Sequence, residues 1–426
     1  MDLTRQKIKR IIPKSVFTLF QPYYHQLLAY WGAVKYRHPA RNLVIIAVTG
    51  TKGKSSTTEL IAHILRAGGM KVASLSTIQF SIDGHTEPNM YKMTMPGRFF
   101  VQKFLREAVD AGCTHAVVEM TSEGARQFRH KYIDLDALVF TNLTPEHIES
   151  HGSFEKYKAA KLTLAAAVAA SPKRPRYIVT NIDDEHGKDF LNPAVEHELP
   201  YSLNDLNLYT LHKDSVSLVL NNITIRVPLV GLFNVYNTLA AITISRALGV
   251  SLQTIQDCLR NLPPLKGRVE HFESPATAPK KVTAVVDYAH TPDSLTKLYE
   301  AFPNRHKVCV LGNTGGGRDT WKRPEMGAIA ERYCNQIILT NEDPYDEDPL
   351  KIVTEMRNGM SHIAPVEIIM DRREAIKKAL ALAVPGGCVL ISGKGTDPYI
   401  MGPNDTKEPW SDATVVKELL SQITLD

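Results

Sequence analysis

The sequence predicts a two-part α/β protein: a central P-loop ATPase-type doubly wound sheet with a small β edge, followed by a C-terminal Rossmann-like α/β domain. Three observations predict it. Apolar runs alternate with amphipathic stretches along most of the chain, the pattern of a parallel sheet covered by helices on both faces. A glycine- and lysine-bearing turn, VTGTKGKSST (Val48 to Thr57), joins the first such run to the stretch after it. The chain also has 426 residues, more than one core supports, since single cores stop growing near roughly 250 to 300 residues.

Composition bounds the function. Hydrophobic residues at 43% and charged residues at 22% are ordinary globular usage and exclude a disordered or fibrous chain. A net charge of +5 is scattered, with no Lys/Arg block interleaved with aromatics, so no nucleic-acid partner is expected. Cys113, Cys258, Cys309, Cys334 and Cys388 lie far apart without CxxC or Cys/His spacing. Neither a zinc site nor a disulfide framework is expected, and a reducing cytoplasm fits. The N-terminus shows no apolar core and cleavage site of a signal peptide.

Residues 1–43 read as an aromatic and basic leader helix. Val16 to Tyr36 is rich in aromatics, with Arg5, Lys7, Lys9, Arg10 and Lys14 before it. Gln21, Pro22, His25 and Gln26 interrupt it, so it is a poor bilayer span. Two readings stand: a helix packed on the following domain, or peripheral contact of residues 5–36 with the inner membrane face.

Residues 44–262 form the expected central domain. LVIIAVTGTKGKSSTTELIAHILRAGG is its first strand–turn–helix unit, and HAVVEM, ALVFTNL and RYIVTN are further buried strands. Alternating stretches around SVSLVLNNITIRVPL read as a β meander, and Gly231 to Gly249 as a helix. A boundary falls in NLPPLKGRVEHF, and residues 263–426 repeat the strand–turn pattern, with strand ends expected to face the first domain's nucleotide.

The turn Val48 to Thr57 is a phosphate loop: glycines admit phosphates to backbone N–H groups, Lys54 supplies a charge, and Ser55 can ligate magnesium. Val48 stands where the standard motif has its first glycine. Glu119 and His147, after later strands, are magnesium candidates, although either is as readily structural. The pattern alone makes Lys161 a snorkelling surface lysine. Asp287, Tyr288 and His290 end one strand of the second domain, and Arg318, Lys322 and Arg323 lie in a glycine-rich turn able to meet a phosphate or carboxylate.

Taken in order, VTGTKGKSSTT, TNLTPEHIESHGSFEKYKAAK, GLFNVYN, KGRVEHF, VVDYAHTPDS, GGGRDTWKRPEMG, DRREAI and ISGKGTD resemble the Mur ligases, ATP-dependent amide-forming enzymes of peptidoglycan precursor synthesis. The resemblance is strongest to the branch that adds the third amino acid to UDP-N-acetylmuramoyl-L-alanyl-D-glutamate. It implies ATP and Mg2+ as cofactors, with Gly50, Thr51, Lys52, Gly53, Lys54, Ser55 and Ser56 around the phosphates. Ser55, Glu119 and His147 would serve the metal, together with a carbamylated Lys161. Asn237, Arg268, Asp287 and Lys322 would contact the nucleotide. Thr94, Met95, Pro96, Thr121, Ser122 and Arg129 would meet the acceptor. His290, Arg323, Glu342, Asp343, Pro344, Tyr345, Gly393, Thr396 and Asp397 complete the substrate contacts. The implied partners are a small-molecule carboxylate acceptor and a free amino acid, the implied intermediate an acyl-phosphate, and the implied state a cytoplasmic monomer whose C-terminal domain closes over ATP.

Two departures shape the expectation. Family members carry an N-terminal domain of on the order of a hundred residues for the uridine-sugar end, whereas about forty precede the phosphate loop here. A lipid-linked acceptor approached through the aromatic leader is the alternative, as are a γ-glutamyl acceptor and a non-catalytic nucleotide-binding subunit. The diaminopimelate-adding members have Asp-Asn-Pro-Arg where this chain has Glu342, Asp343, Pro344 and Tyr345. With Asp346, Glu347 and Asp348 the loop is acidic, which favours a basic side chain such as lysine, unless the run is only a solvated loop.

Overall fold

The computed structural model describes residues 14–146, 148–317, 319–361 and 363–423. Arg5, Lys7, Lys9, Arg10, His147 and Arg318 therefore lie outside the described residues. The chain forms two compact units: residues 1–146, 153–202 and 239–251 in the first, and 147–152, 203–238 and 252–426 in the second.

The first unit is built on an eight-stranded sheet: β1 (Val44–Thr49), β2 (Val72–Leu75), β3 (Gln79–Ile82), β4 (His85–Pro88), β5 (His115–Glu119), β6 (Ala137–Phe140), β7 (Tyr177–Asn181) and β8 (His197–Tyr201). Their spatial order is β4-β3-β2-β5-β1-β6-β7-β8. Strand β1 pairs in parallel with both β5 and β6, while β3 and β4 form an antiparallel edge. Its helices are α1 (Lys14–Lys35), α2 (Lys54–Ala67), α3 (Arg98–Asp110), α4 (Ser122–Arg126) and α5 (Phe154–Ala169). Ile45, Ala47, Ala116, Val118, Leu138 and Phe140 pack on one face with Phe104 and Leu105 of α3 and Leu164 and Val168 of α5. Ile46, Val48, Val117 and Val139 alternate with them and are equally buried. That two-sided burial is why the strands read as continuous apolar runs.

Helix α1 packs on the first unit through one side. Ala29, Gly32 and Ala33 make a small buried stripe at helical spacing. A Cβ on Gly32 would lie 3.6 Å from Arg98 O and 3.7 Å from Phe99 Cα, ordinary packing distances that place α1 against the start of α3. Tyr23, Leu27, Tyr30, Trp31 and Val34 stay exposed on the rest of α1. No helix among the described residues is long and apolar enough to cross a membrane.

The second unit holds the expected meander, β9 (Leu208–Leu211), β10 (Val216–Leu220) and β11 (Ile223–Val227), and a six-stranded sheet. Helix α6 (Leu232–Ala247) begins in this unit. The larger sheet comprises β12 (Glu270–Glu273), β13 (Thr283–Val286), β14 (Lys307–Leu311), β15 (Gln336–Leu339), β16 (Val366–Ile368) and β17 (Cys388–Ile391), ordered β12-β13-β17-β14-β15-β16. Helices α7 (Pro292–Glu300), α8 (Lys322–Tyr333) and α9 (Pro349–Arg357) cover the face bearing Val285, Cys309, Leu311 and Leu390. Helices α10 (Arg372–Leu382) and α11 (Asp412–Gln422) cover the face bearing Ala284, Val308, Val310 and Val389. A two-stranded ribbon, β18 (Tyr399–Met401) with β19 (Lys407–Pro409), completes the unit.

One expectation is corrected. Cys309 and Cys334 form a disulfide across 25 residues of sequence, with Cα atoms 6.1 Å apart. Spacing could not reveal it, because the pair meets only where β14 and the end of α8 share one apolar cluster.

Candidate active site

The first unit gathers its polar groups at the carboxyl ends of β1, β2, β5 and β6, where open parallel sheets bind ligands. The loop after β1 turns at Gly50 with φ 149°. A Cβ there would stand 1.9 Å from Thr141 Oγ1, so only glycine lets the loop lie against the strand end beside it. Asn142 anchors that loop: its carbonyl accepts from Thr51 N at 2.8 Å and its Oδ1 from Lys52 N at 2.9 Å. Gly53, at φ 80°, then admits the chain into α2.

Two lysines converge on this loop. Lys54 Nζ donates to Gly50 O at 3.1 Å and Thr51 O at 2.9 Å, and Lys161 Nζ donates to the same Gly50 O at 2.6 Å. Lys161 is 1% exposed, which overturns the surface-lysine reading of its pattern. The helix face that looked merely apolar is turned inward. Tyr157, one turn earlier, lies under the amine at 4.7 Å from its ring centre and shares a hydrogen bond with Thr51 Oγ1 at 3.0 Å. Burial first, and then the charge of Lys54, pushes the Lys161 amine well below the ordinary lysine range, against the pull of Glu146 and Glu119.

Glu119 is 1% exposed and receives Ser55 Oγ at 2.9 Å, Thr77 N at 2.8 Å and Thr77 Oγ1 at 3.1 Å. These donors hold a carboxylate and the loop serine side by side, the oxygen set that suits a magnesium ion bound mainly by phosphate and water. Sequence reasoning missed Thr77, whose signal was only a polar residue past the end of β2. It also missed Glu146, which pairs with Lys52 Nζ at 2.8 Å.

The expected acceptor residues adjoin this cluster. Thr94 Oγ1 lies 2.7 Å from Thr77 Oγ1. Thr121 caps α4 through Gly124 N at 3.0 Å, Ser122 is buried behind it, and Arg129 donates to Met95 O and, at 2.8 Å, to Gln127 Oε1.

The second unit places its expected residues at strand ends of its own sheet. Asp287 accepts from Val269 N at 2.8 Å and Ala289 N at 2.7 Å, tying the preceding loop to the end of β13. The Arg268 guanidinium stacks 4.4 Å from the Tyr288 ring centre. His290 lies against Tyr288 O, and Asn237 donates to Asn234 Oδ1 along α6. Lys322 opens α8 and is buried; Arg323, with no exposure, pairs with Glu347 at 2.7 Å and Glu355 at 2.6 Å.

The acidic run after β15 is mostly engaged within the protein. Asp343 receives Lys394 Nζ and Met401 N, both at 2.8 Å, Asp346 accepts from Asn404 N, and Asp348 caps α9. Glu342 differs: its Oε1 accepts from Thr314 Oγ1 at 3.1 Å, while its Oε2 is buried with no hydrogen-bond partner among the described residues. Burial, followed by the charge of Asp343, raises the Glu342 carboxyl above the usual range. A Cβ on Gly393 would stand 2.2 Å from that Oε2, so glycine there leaves room beside it. Asp397 lies in the same turn and approaches Lys394 Nζ at 3.4 Å.

Residues 48–245 match the Mur ligase middle domain, and residues 267–395 match the domain described as Mur ligase, glutamate ligase domain. The chain is 36% identical over 386 residues to the UDP-N-acetylmuramoyl-L-alanyl-D-glutamate--2,6-diaminopimelate ligase of Thermosynechococcus vestitus, covering 86% of this chain and 75% of that protein. It is 35% identical over 422 residues to the UDP-N-acetylmuramyl-tripeptide synthetase of Roseiflexus sp., covering 93% and 82%. A solved UDP-N-acetylmuramoyl-L-alanyl-D-glutamate--2,6-diaminopimelate ligase superposes with a TM-score of 0.62 at 29% identity, covering 93% of this chain and 82% of that one. With its phosphate loop, buried lysine and strand-end carboxylates in place, the chain belongs to the Mur ligase family of ATP-dependent amide-forming ligases.

Proposed function

We propose that this chain joins an amino acid to the terminal carboxylate of UDP-N-acetylmuramoyl-L-alanyl-D-glutamate, in the cytoplasm, through an acyl-phosphate. The observation that carries the reading is the convergence of Lys54, Lys161, Ser55 and Glu119 on the loop at Gly50. Mg2+ and ATP fit that cradle; bound there, they supply the transferable phosphoryl group and neutralise its charge. The loop amides and Lys54 hold phosphate oxygens, while Ser55 and Glu119 offer metal ligands. Burial shifts the Lys161 amine towards its uncharged form, the form whose lone pair can add to carbon dioxide. That addition forms an N–C bond, releases one proton and leaves a carbamate anion facing the same metal site.

Thr94, Ser122 and Arg129 orient the acceptor so that its carboxylate oxygen meets the γ-phosphorus. The amine of the incoming amino acid then displaces phosphate through a tetrahedral intermediate. For that amino acid, the unpartnered oxygen of Glu342 supports a cationic side chain, so lysine is the expected substrate, rather than diaminopimelate. Phosphate release should require both acceptor and amino acid and be faster with lysine across a panel including diaminopimelate and ornithine. Glu342→Gln should raise KM for lysine about tenfold. A parent enzyme preferring diaminopimelate would refute the lysine assignment.

The exposed aromatic face of α1, with Tyr23 71% and Trp31 55% exposed, supports peripheral contact with a membrane interface. Co-sedimentation with anionic liposomes, lost in Tyr23→Ser/Trp31→Ser, is the expected result. Protein left entirely in the supernatant contradicts it.

A further inference from the structure

Beside the acceptor residues lies a group of cationic side chains. Arg98 opens α3, and Arg129 follows α4. Both end on Gln127, Arg98 Nη2 donating to its carbonyl and Arg129 Nη2 to its Oε1 at 2.8 Å. The Nε of each arginine is buried and has no hydrogen-bond partner among the described residues. Helix α1, seated on the start of α3 at Gly32, contributes His25, both of whose ring nitrogens are likewise buried without a hydrogen-bond partner.

Cationic charge predominates in the group, and one carboxylate offsets part of it at Arg129 and His25. The carboxylate beside it, Glu123, bonds Arg126 at 3.1 Å and Gln127 Nε2 at 2.5 Å. Burial, then Arg129, lowers Arg98 to about 10; burial, then Arg98 and Arg129, lowers His25 to about 4. Two guanidiniums drawn together in this way repel, a cost removed when an oxyanion enters between them. The first turn of α3 adds to this preference: it contains no acidic residue, and Gly97 offers no side-chain cap, so the positive end of the helix dipole is not offset locally. The group also adjoins the chemistry. Arg129 donates to Met95 O, and the neighbouring Thr94 touches Thr77, which holds Glu119.

We propose that Arg98 and His25 extend the acceptor site beyond Arg129, forming a pocket for a non-reacting phosphate or carboxylate of the acceptor, with α1 as one of its walls. The inference rests on the ligase reading above and names how its acceptor is gripped. The fork of Arg98 suits the paired oxygens of either anion, and neutral His25 donates one further hydrogen bond.

Steady-state phosphate release tests it, using UDP-N-acetylmuramoyl-L-alanyl-D-glutamate and lysine. Arg98→Gln should raise the acceptor KM by about tenfold or more, with kcat and the ATP KM changed less than about twofold. Arg98→Lys, which keeps the charge and loses the fork, should fall between, and His25→Phe should raise the same KM. An unchanged acceptor KM in folded Arg98→Gln overturns the proposal. Direct binding keeps the test independent of turnover: pyrophosphate, inorganic phosphate and acetate are titrated by calorimetry against the parent and Arg98→Gln. Binding by the parent that Arg98→Gln loses supports the pocket, and the anion bound most tightly identifies phosphate or carboxylate as its ligand. Equal binding to both proteins, or to neither, overturns it, even if the ligase reading itself has failed.

Discussion

Replacing Lys161 with methionine should lower kcat on the order of 10²- to 10³-fold, the range seen when one preorganised charge is removed from an active site, while the protein remains folded. The side chain is buried, it donates to Gly50 O, and a methionine of similar length fills the same space. Only an ionic or carbamate role makes the substitution so costly. The same variant carries a second expectation, with the opposite sign. Burial depresses the unmodified amine, so between its folded value and the ordinary 10.5 the unfolded chain binds more protons than the folded one. Stability of the parent therefore rises with pH through that window, and its deficit is largest below it. In buffer freed of carbon dioxide, denaturant unfolding should find Lys161→Met the more stable protein near neutral pH. That advantage should shrink as pH approaches 10.5. A stability difference that stays constant with pH would show that the amine is not depressed, and an unaltered kcat would remove Lys161 from the chemistry.

Glu119→Gln should be comparably severe, with kcat lower by on the order of 10²-fold or more and half-saturation by magnesium shifted upward. The amide is isosteric, so the burial of residue 119 is preserved. What changes is the oxygen set: Ser55 Oγ, Thr77 N and Thr77 Oγ1 all donate to this carboxylate, and an amide nitrogen cannot accept from them. The amide keeps one oxygen for Ser55 and Thr77 N, which share Oε2, but the metal loses its anionic ligand. Raising magnesium should recover part of the rate if the lesion lies in metal affinity. Parent-like kinetics at limiting magnesium would make Glu119 a structural acceptor for Thr77 alone.

Much of this architecture could be read from pattern. Strands β1, β5, β6 and β7 fall where apolar runs end in polar residues, because a sheet buried on both faces needs such runs and its ligand edge needs such ends. The meander at Leu208–Val227 announced itself through period-two alternation. The phosphate loop was visible despite Val48, since the glycines at 50 and 53 mark the two positions where positive φ is needed. Other features depend on distance in space. Lys161 looks exposed by pattern and is buried because α5 turns that face towards Gly50. Thr77 gains its place from the pairing of β2 with β5, which sets its amide against Glu119. The acidic stretch from Glu342 to Asp348 looked like a binding surface. Lys394, Arg323 and a helix cap engage most of it, while Glu342 keeps a buried oxygen without a hydrogen-bond partner among the described residues. Cys309 and Cys334 follow the same rule, joined only through tertiary packing.

The central claim is that the acceptor carboxylate is activated by phosphoryl transfer before the amine attacks. Acceptor labelled with oxygen-18 in its terminal carboxylate tests this most directly, with the released phosphate analysed by mass. If the carboxylate attacks the γ-phosphorus and phosphate later departs from the acyl carbon, each released phosphate carries one labelled oxygen, and only when ATP, acceptor and amino acid are all present. Phosphate that forms at the same rate without label would contradict the account, since it would come from water attacking ATP, with no acyl-phosphate between.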